Sequence, residues 1–521
     1  MNPGPAWRRG GAAFALALAL AACDRRTETP PPQAPAFTVL AGSEVRDIEP
    51  ALIRAASDAG VALKLSYAGG LDIVERSNDG ERFDAILPAS GAYPSLALAS
   101  KPLAREKLFY SRVAIGVKPA KLRELGWDQA PPTWADIARA AGAGRLRFAM
   151  TSPTSSNSGM SALFAVASAV AGKTEDLRVE DIDAGVLTAF LSGQKLVAGS
   201  SGWLAEAYAK DPSALDAMVN YEAVILRTNE KLAESDRLRL VYPRDGVISA
   251  DYPLMLLDAG RRDDYNKLVA AFRAPALQRE LAATAFLRPV APDVPLAAEL
   301  SAAPVAELSF PNRLDVIDTV LAAYQGAWRR PATSIFVLDV SGSMRGRRIE
   351  GMREALKVLA GAEARSASTR YARFQSRERV LLISFSDDVA EPVQIDFDGA
   401  GLATARARIL AFADGMRARG GTAIYAALLR AEELAAAERQ RDANRYVSVV
   451  LLTDGENNVP PDLPSFRAQL GATPAARIFP ILFGEASSAD MSELARYTGG
   501  RVFDGRSAQL ARVFKEIRGY Q

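Results

Sequence analysis

Asp339, Ser341 and Ser343 occupy alternate positions at the end of the stretch Ser334 to Ser343, SIFVLDVSGS, directly after a run of apolar residues. One carboxylate and two hydroxyls on a single short loop are hard oxygen donors. The cation they suit is divalent: Mg²⁺ takes near-octahedral oxygen coordination and keeps part of its water. Three donors do not fill that shell, so others must come from distant parts of the chain. Two candidates stand downstream. Thr422 follows Gly420-Gly421 ahead of the helical pattern AIYAALLRAEELAAAE, and Asp454 closes the apolar run Val447 to Leu452, with Gly455 after it.

The elements that must position these groups can be read from the surrounding residues. Ile335 to Leu338, Arg379 to Phe385 (RVLLISF), Val447 to Leu452 (VSVVLL) and Ile478 to Phe483 (IFPILF) are continuous apolar runs without alternation. Such runs predict strands covered on both faces, and the intervening stretches, such as GRRIEGMREALKVLAG, have helical apolar periodicity. A doubly wound parallel sheet follows. In such sheets binding crevices open at the carboxyl ends of the strands, where each candidate donor falls. A competing reading makes Ser341, Gly342 and Ser343 a turn that caps the next helix, with Asp339 held by backbone amides. It leaves Thr422 and Asp454 as coincidences.

In these features the chain resembles the von Willebrand factor type A (VWA) domain and its metal-ion-dependent adhesion site. The resemblance covers roughly Arg330 to the C-terminus, residues 330–521, and implies a Rossmann-like fold. It further implies that Asp339, Ser341, Ser343, Thr422 and Asp454 bind Mg²⁺, or Mn²⁺ in its place. The serine hydroxyls would bind the metal directly, the threonine directly or through water, and the aspartates often through water. One position would stay open for an acidic side chain of a protein partner.

Composition limits the alternatives. The chain of 521 residues has room for two or three domains, and its 63 basic and 61 acidic residues nearly cancel, leaving no electrostatic footprint for nucleic acid. Histidine is absent, which removes histidine metal sites and the Ser-His-Asp and Cys-His nucleophile systems. The sole cysteine is Cys23. Arg8 and Arg9 precede the apolar stretch Ala12 to Leu20, which ends in Leu20-Ala21-Ala22-Cys23. The stretch is too short for a permanent membrane span.

Residues 1–23 resemble a bacterial lipoprotein signal, which implies cleavage and lipidation at Cys23. The alternative is a secretory signal with an incidental cysteine. Residues 24–36 are a polar, proline-rich tether. The expected location is the bacterial cell envelope, lipid-anchored and facing the periplasm or the exterior. Asp24 marks inner-membrane retention in enterobacterial lipoproteins, a rule that does not transfer between lineages, so the leaflet stays open.

Residues 37–311 read again as α/β. FTVLAGSEV opens with a strand and a Gly42-Ser43 turn, Phe83 to Leu87 and Ser111 to Val117 are further strands, and Leu238 to Tyr242 returns before PRDGVISADYPLMLL. The pattern resembles a type II periplasmic solute-binding protein, whose two α/β lobes are joined by crossover strands and close on a ligand. SRVAIGVKP would be the first crossover and LRLVYPRDG the return. The loop Thr151 to Gly159, TSPTSSNSG, crowds polar groups ahead of an apolar helix, where free amides and the helix dipole favour an anion or polar acceptor. Candidate contacts are Ser156, Asn157 and Ser158, with Gly42, Ser43, Ser90 and Gly199 to Gly202 from neighbouring loops. Trp203 and Tyr221 would supply a wall. The same residue types serve equally as helix caps and turns.

Glu222 and Asp251 are either an acid–base pair or members of ion pairs. Residues 312–329 are expected to form a connecting helix packed through Leu314, Ile317, Val320 and Leu321. The whole resembles bacterial proteins described as substrate-binding and VWA domain-containing. It reads as a non-enzymatic, membrane-anchored extracytoplasmic binding protein that recognises a protein partner through Mg²⁺ and senses or holds a small polar or anionic solute. The alternatives are a transport receptor, an assembly factor for a membrane complex, or an enzyme built on Glu222 and Asp251.

Overall fold

The computed structural model describes residues 35–361, 371, 373–399, 401–471, 474–483, 488–506 and 510–520. Cys23, the signal and nearly all of the tether lie outside the described residues.

The N-terminal region supplies β1 (Phe37–Gly42), β2 (Leu63–Ala68), β3 (Ala85–Leu87), β4 (Ala104–Lys107), β5 (Phe109–Val117), β6 (Phe148–Thr151), β7 (Gln194–Ala198), β8 (Ala217–Tyr221), β9 (Arg239–Val241), β10 (Ser249–Ala250), β11 (Pro253–Leu256) and β12 (Arg288–Pro289). They form two sheets, one ordered β2-β1-β3-β11-β4 and the other β10-β5-β8-β6-β7, with β9 and β12 also paired to β5. Each sheet is the centre of one lobe. The chain crosses between them three times, from β4 into β5, from β10 into β11 and from β11 through two helices into β12, and the first two passages pair side by side as the hinge. LRLVYPRDG is therefore not the return crossover. Its strand β9 stays in the second lobe against β5, and the return runs through Ser249–Leu256.

The C-terminal region supplies β13 (Ala332–Asp339), β14 (Glu378–Phe385), β15 (Val393–Phe397), β16 (Tyr446–Thr453), β17 (Arg477–Leu482) and β18 (Phe503–Asp504), in the sheet order β15-β14-β13-β16-β17-β18. All neighbours are parallel except β15, an antiparallel edge. Every residue of β13 is buried. The reason is the period of two. Ile335 and Val337 join the core under the helix Ile424–Arg441, whereas Phe336 and Leu338 join the core on the opposite face, with the helix Arg347–Ala360 and Phe514. A strand covered on both faces needs no polar alternation, which is why the sequence shows unbroken apolar runs. Strand β15 escaped that criterion because it is half-buried: Ile395 and Phe397 point inward between exposed Gln394 and Asp396.

The connecting helix spans Leu314–Ala323 and continues through a wider turn at Tyr324–Trp328. Its buried stripe is Val316, Ile317, Val320 and Leu321. Leu314, expected in that stripe, is instead 40% exposed.

Candidate metal site and interlobe cavity

Asp339 ends β13 in the middle of the C-terminal sheet and is fully buried. Its Oδ1 accepts from Ser341 N at 2.8 Å and its Oδ2 from Thr453 Oγ1 at 2.6 Å. Burial pushes its carboxyl above the usual range, a rise opposed by the Ser341 and Thr453 hydrogen bonds and assisted by the charge of Asp454. Ser341 Oγ and Ser343 Oγ lie 3.0 Å apart, and Ser343 Oγ donates to Asp454 Oδ1 at 2.7 Å. The turn and the backbone hold on Asp339 are as the competing reading expected, but Ser341 precedes only the short turn Gly342–Met344 and does not cap the helix that follows. Ser341 makes no capping hydrogen bond through its side chain, and the following helix, Arg347–Ala360, begins after Gly346.

Thr422 reaches the same place from another loop. Gly420 adopts a φ of +74°, a conformation that favours glycine, and its carbonyl accepts from Gly342 N at 2.9 Å. Asn458 Oδ1 holds Thr422 N at 2.7 Å. Gly455 faces both hydroxyls: a Cβ there would stand 3.7 Å from Ser343 Oγ and 3.9 Å from Thr422 Oγ1. The structure thus brings Asp339, Ser341, Ser343, Thr422 and Asp454 to one edge of the sheet. It adds Thr453, Asn458 and Arg348, which the sequence reading missed. Arg348 forms an ion pair with Asp454. Thr453 and Asn458 flank the predicted Asp454 closely in sequence, but their roles depend on where the loop turns.

Chemically, this is a set of hydroxyl oxygens backed by two buried carboxylates, with one half-exposed guanidinium as the local cation. Such oxygens suit a hard divalent ion. Among the described residues no group of three or more carboxylate or thiol side chains offers a rival site.

The second location is a cavity of about 360 Å³ between the lobes. Ser43, Tyr67 and Gly69 line it from the first lobe, and Ser155, Gly199, Ser200 and Trp203 from the second. Of the residues singled out in the sequence, Ser43, Gly199, Ser200, Gly202 and Trp203 meet at this cavity. The others sit behind it or elsewhere. Ser158 Oγ contacts Thr151 Oγ1 at 2.8 Å, Ser156 Oγ at 3.2 Å and Ser201 Oγ at 2.7 Å, and all four residues are buried. Asn157 Nδ2 donates to the buried Tyr221 hydroxyl at 2.8 Å. Ser90 Oγ accepts from Ala92 N at 3.3 Å at a helix start, away from the cavity lining. Gly42 packs against Glu44, where a Cβ would come within 2.5 Å of the carboxylate. Burial pushes the Glu44 carboxyl up. Nothing in the sequence marks that residue, because a lone Glu after a Gly-Ser turn reads as a solvated surface charge.

Glu222 and Asp251 do not form an acid–base pair. Glu222 is fully buried, bound by Arg288 Nε at 2.6 Å and Nη2 at 2.9 Å, and it accepts from Arg112 N at 3.0 Å. Asp251 is paired with Arg105 and accepts from Gly91 N at 2.9 Å. Each carboxylate has its own guanidinium.

The two regions correspond to two known families. Residues 37–286 match the bacterial extracellular solute-binding protein family and residues 334–456 match the von Willebrand factor type A domain. The chain joins a region like the solute-binding proteins to a VWA-like region.

Inter-alpha-trypsin inhibitor heavy chain H4 from Sus scrofa is 33% identical over 138 residues, 26% of this chain and 13% of that protein. The Homo sapiens protein of the same name is 32% identical over 210 residues, 37% of this chain and 21% of that protein. This chain therefore spans no more than 21% of the length of either relative. Similar solved structures include a VWA protein from Catenulispora acidiphila, at 18% identity and a TM-score of 0.30 over 37% of this chain and 42% of that one. A ferric binding protein from Campylobacter jejuni shows 15% identity and a TM-score of 0.41 over 55% of this chain and 98% of that one.

Proposed function

We propose that this is an extracytoplasmic binding protein whose VWA domain captures a protein partner through a bound divalent cation, while its two-lobed domain holds a small polar solute. The observation that carries the reading is the convergence of the Ser341, Ser343 and Thr422 hydroxyls over the Asp339 and Asp454 carboxylates. Those five residues would hold Mg²⁺, with Mn²⁺ as a substitute. The bound ion would supply an electrophilic position for a carboxylate of the partner. The chain's own part is to keep the donors in place: Thr453 and the Ser341 amide fix Asp339, and Asn458 fixes the Thr422 loop. Arg348 neutralises Asp454 when no ion does so.

The cavity between the lobes supports the solute half of the reading, and the Leu20-Ala21-Ala22-Cys23 motif supports lipid anchoring to the envelope. Among the described residues no helix is long and apolar enough to cross a membrane. The separate arginine partners of Glu222 and Asp251 support a binding role over an enzymatic one. Native mass spectrometry of the protein purified in Mg²⁺ tests both halves together. The expected spectrum carries one divalent ion, lost on chelation, and a small co-purified solute. A metal-free, solute-free mass in excess Mg²⁺ contradicts the reading.

A further inference from the structure

The interlobe cavity has a roof that belongs to neither lobe. Arg518 and Gly519, at the end of the VWA domain's last described helix, Leu510–Arg518, line it together with Arg501. Two glycines permit the close approach. A Cβ on Gly519 would stand 2.5 Å from Ser155 Oγ and 2.8 Å from Gly199 Cα, and a Cβ on Gly199 would stand 2.6 Å from the Tyr520 ring. Tyr520 is fully buried, edge-on to Trp203 of the second lobe at 4.7 Å and to Phe503 of β18 at 5.5 Å.

The roof is also anchored from behind. Arg518 pairs with Glu378 of β14 at 2.5 Å, and Phe514 stacks on Phe336 of β13 at 5.8 Å. Beneath it the lobes meet: a Cβ on Gly69 would fall 2.2 Å from the Ser155 carbonyl oxygen, and Arg227 bridges to Asp47 at 3.0 Å.

We propose that Arg518, Gly519 and Tyr520 are the lid of the solute cleft, with Arg518 and Gly519 part of its binding surface and Tyr520 its anchor, so that a solute enters or leaves only when this end of the VWA domain lifts. This rests on reading the cleft as a solute site, and it assigns that site to both domains. Fixed charges of both signs line the cavity, Arg46, Arg501 and Arg518 against Asp47, Asp72, Glu206 and Glu516. The solute class that suits them is small and zwitterionic.

The lid can be tested without any solute. In the full chain carrying Cys23→Ser, a Ser43→Cys substitution places a single thiol on the cavity wall. Its reaction with a small charged thiol reagent is expected to be slow in that parent. Gly519→Val, which cannot be accommodated against Ser155 and Gly199, and Tyr520→Ala, which removes the aromatic anchor, should each speed it by about tenfold or more, the factor given by about 1.4 kcal/mol taken from the closed state.

Unchanged labelling in both lid variants, with circular dichroism showing them folded, overturns the lid. The probe for solute class is a mixture of free amino acids, which should raise the melting temperature of the parent more than that of Arg501→Ala. No rise in the parent overturns the zwitterion assignment, while the labelling rates still decide the lid.

Discussion

The loops Asp339–Ser343 and Thr151–Ser158 look alike in sequence, each a crowd of hydroxyls following a buried strand, yet they differ in what stands behind them. Behind Ser341 and Ser343 are two buried carboxylates with one half-exposed arginine to balance them. Behind Ser156 and Ser158 are Thr151 and Ser201, neutral hydroxyls that satisfy one another at 2.7–3.2 Å. The first cluster carries excess negative charge and invites a cation. The second is closed on itself and invites nothing. Hydroxyl density alone therefore does not mark a site; the charge left uncompensated in the second layer does.

The sharpest break in this comparison comes from taking the compensation away from a buried carboxylate in the N-terminal region. Arg288→Ala leaves Glu222 buried without its bidentate partner, which should cost about 3–5 kcal/mol. Thermal or denaturant unfolding of the N-terminal domain should show this loss, with Mg²⁺ binding unchanged. A loss under about 1 kcal/mol, in the range of an exposed pair, would show that Glu222 relaxes to solvent.

Next in size is a reciprocal pair. Ser158→Ala strands the hydroxyls of Thr151 and Ser201 and should lower stability by about 1–3 kcal/mol without altering metal binding. Ser343→Ala, at an exposed position, should stay within about 0.5 kcal/mol of the parent in stability while weakening Mg²⁺ binding. Equal effects of the two changes on both readouts would erase the distinction between the loops.

A further buried carboxylate sharpens the point, because it is held by backbone amides and feels only the weaker influence of the Arg439 charge. Glu432 on the helix Ile424–Arg441 accepts from Ala475 N at 2.6 Å, and burial pushes its carboxyl up to about 6. With the folded value above the unfolded one, the native state holds the extra proton. The associated stability is present below the usual value of 4.5 and is lost as pH rises through about 6. Glu432→Gln should therefore stabilise the protein at pH 7 by about 2 kcal/mol. Near pH 4 the gain should vanish, and a gain that persists there would assign it to packing instead.

How much of this was legible in the sequence differs between the regions for the same physical reason. Asp339, Ser341, Ser343, Thr422 and Asp454 each stand at the end of a strand or the start of a helix, so finding the elements placed them at one sheet edge. Arg348 and Asn458 were invisible because their contacts depend on loop conformation. In the N-terminal region the stretches of β1, β3, β5 and β9 were read as strands and the rest were not, and the return arm of the hinge was misplaced. Ser249–Ala250 is too short to read as a strand, and it is recognisable only by its pairing with Arg112 and Ser111. The cleft's hydroxyl loop was named correctly as polar, but whether Ser158 faces a ligand or Ser201 is decided by packing across 43 residues. The roof of the cavity was beyond sequence reading altogether, since Gly199 and Gly519 carry no signal of their mutual approach.

The central claim is that the five oxygen-bearing residues at the edge of the VWA sheet form one cation site. Isothermal titration calorimetry of Mg²⁺ into the parent and into the Asp339→Ala, Asp454→Ala double variant tests it most directly. A single binding event in the parent and none in the double variant, with both proteins folded by circular dichroism, is the predicted result. Equal Mg²⁺ binding by the two proteins would contradict the account.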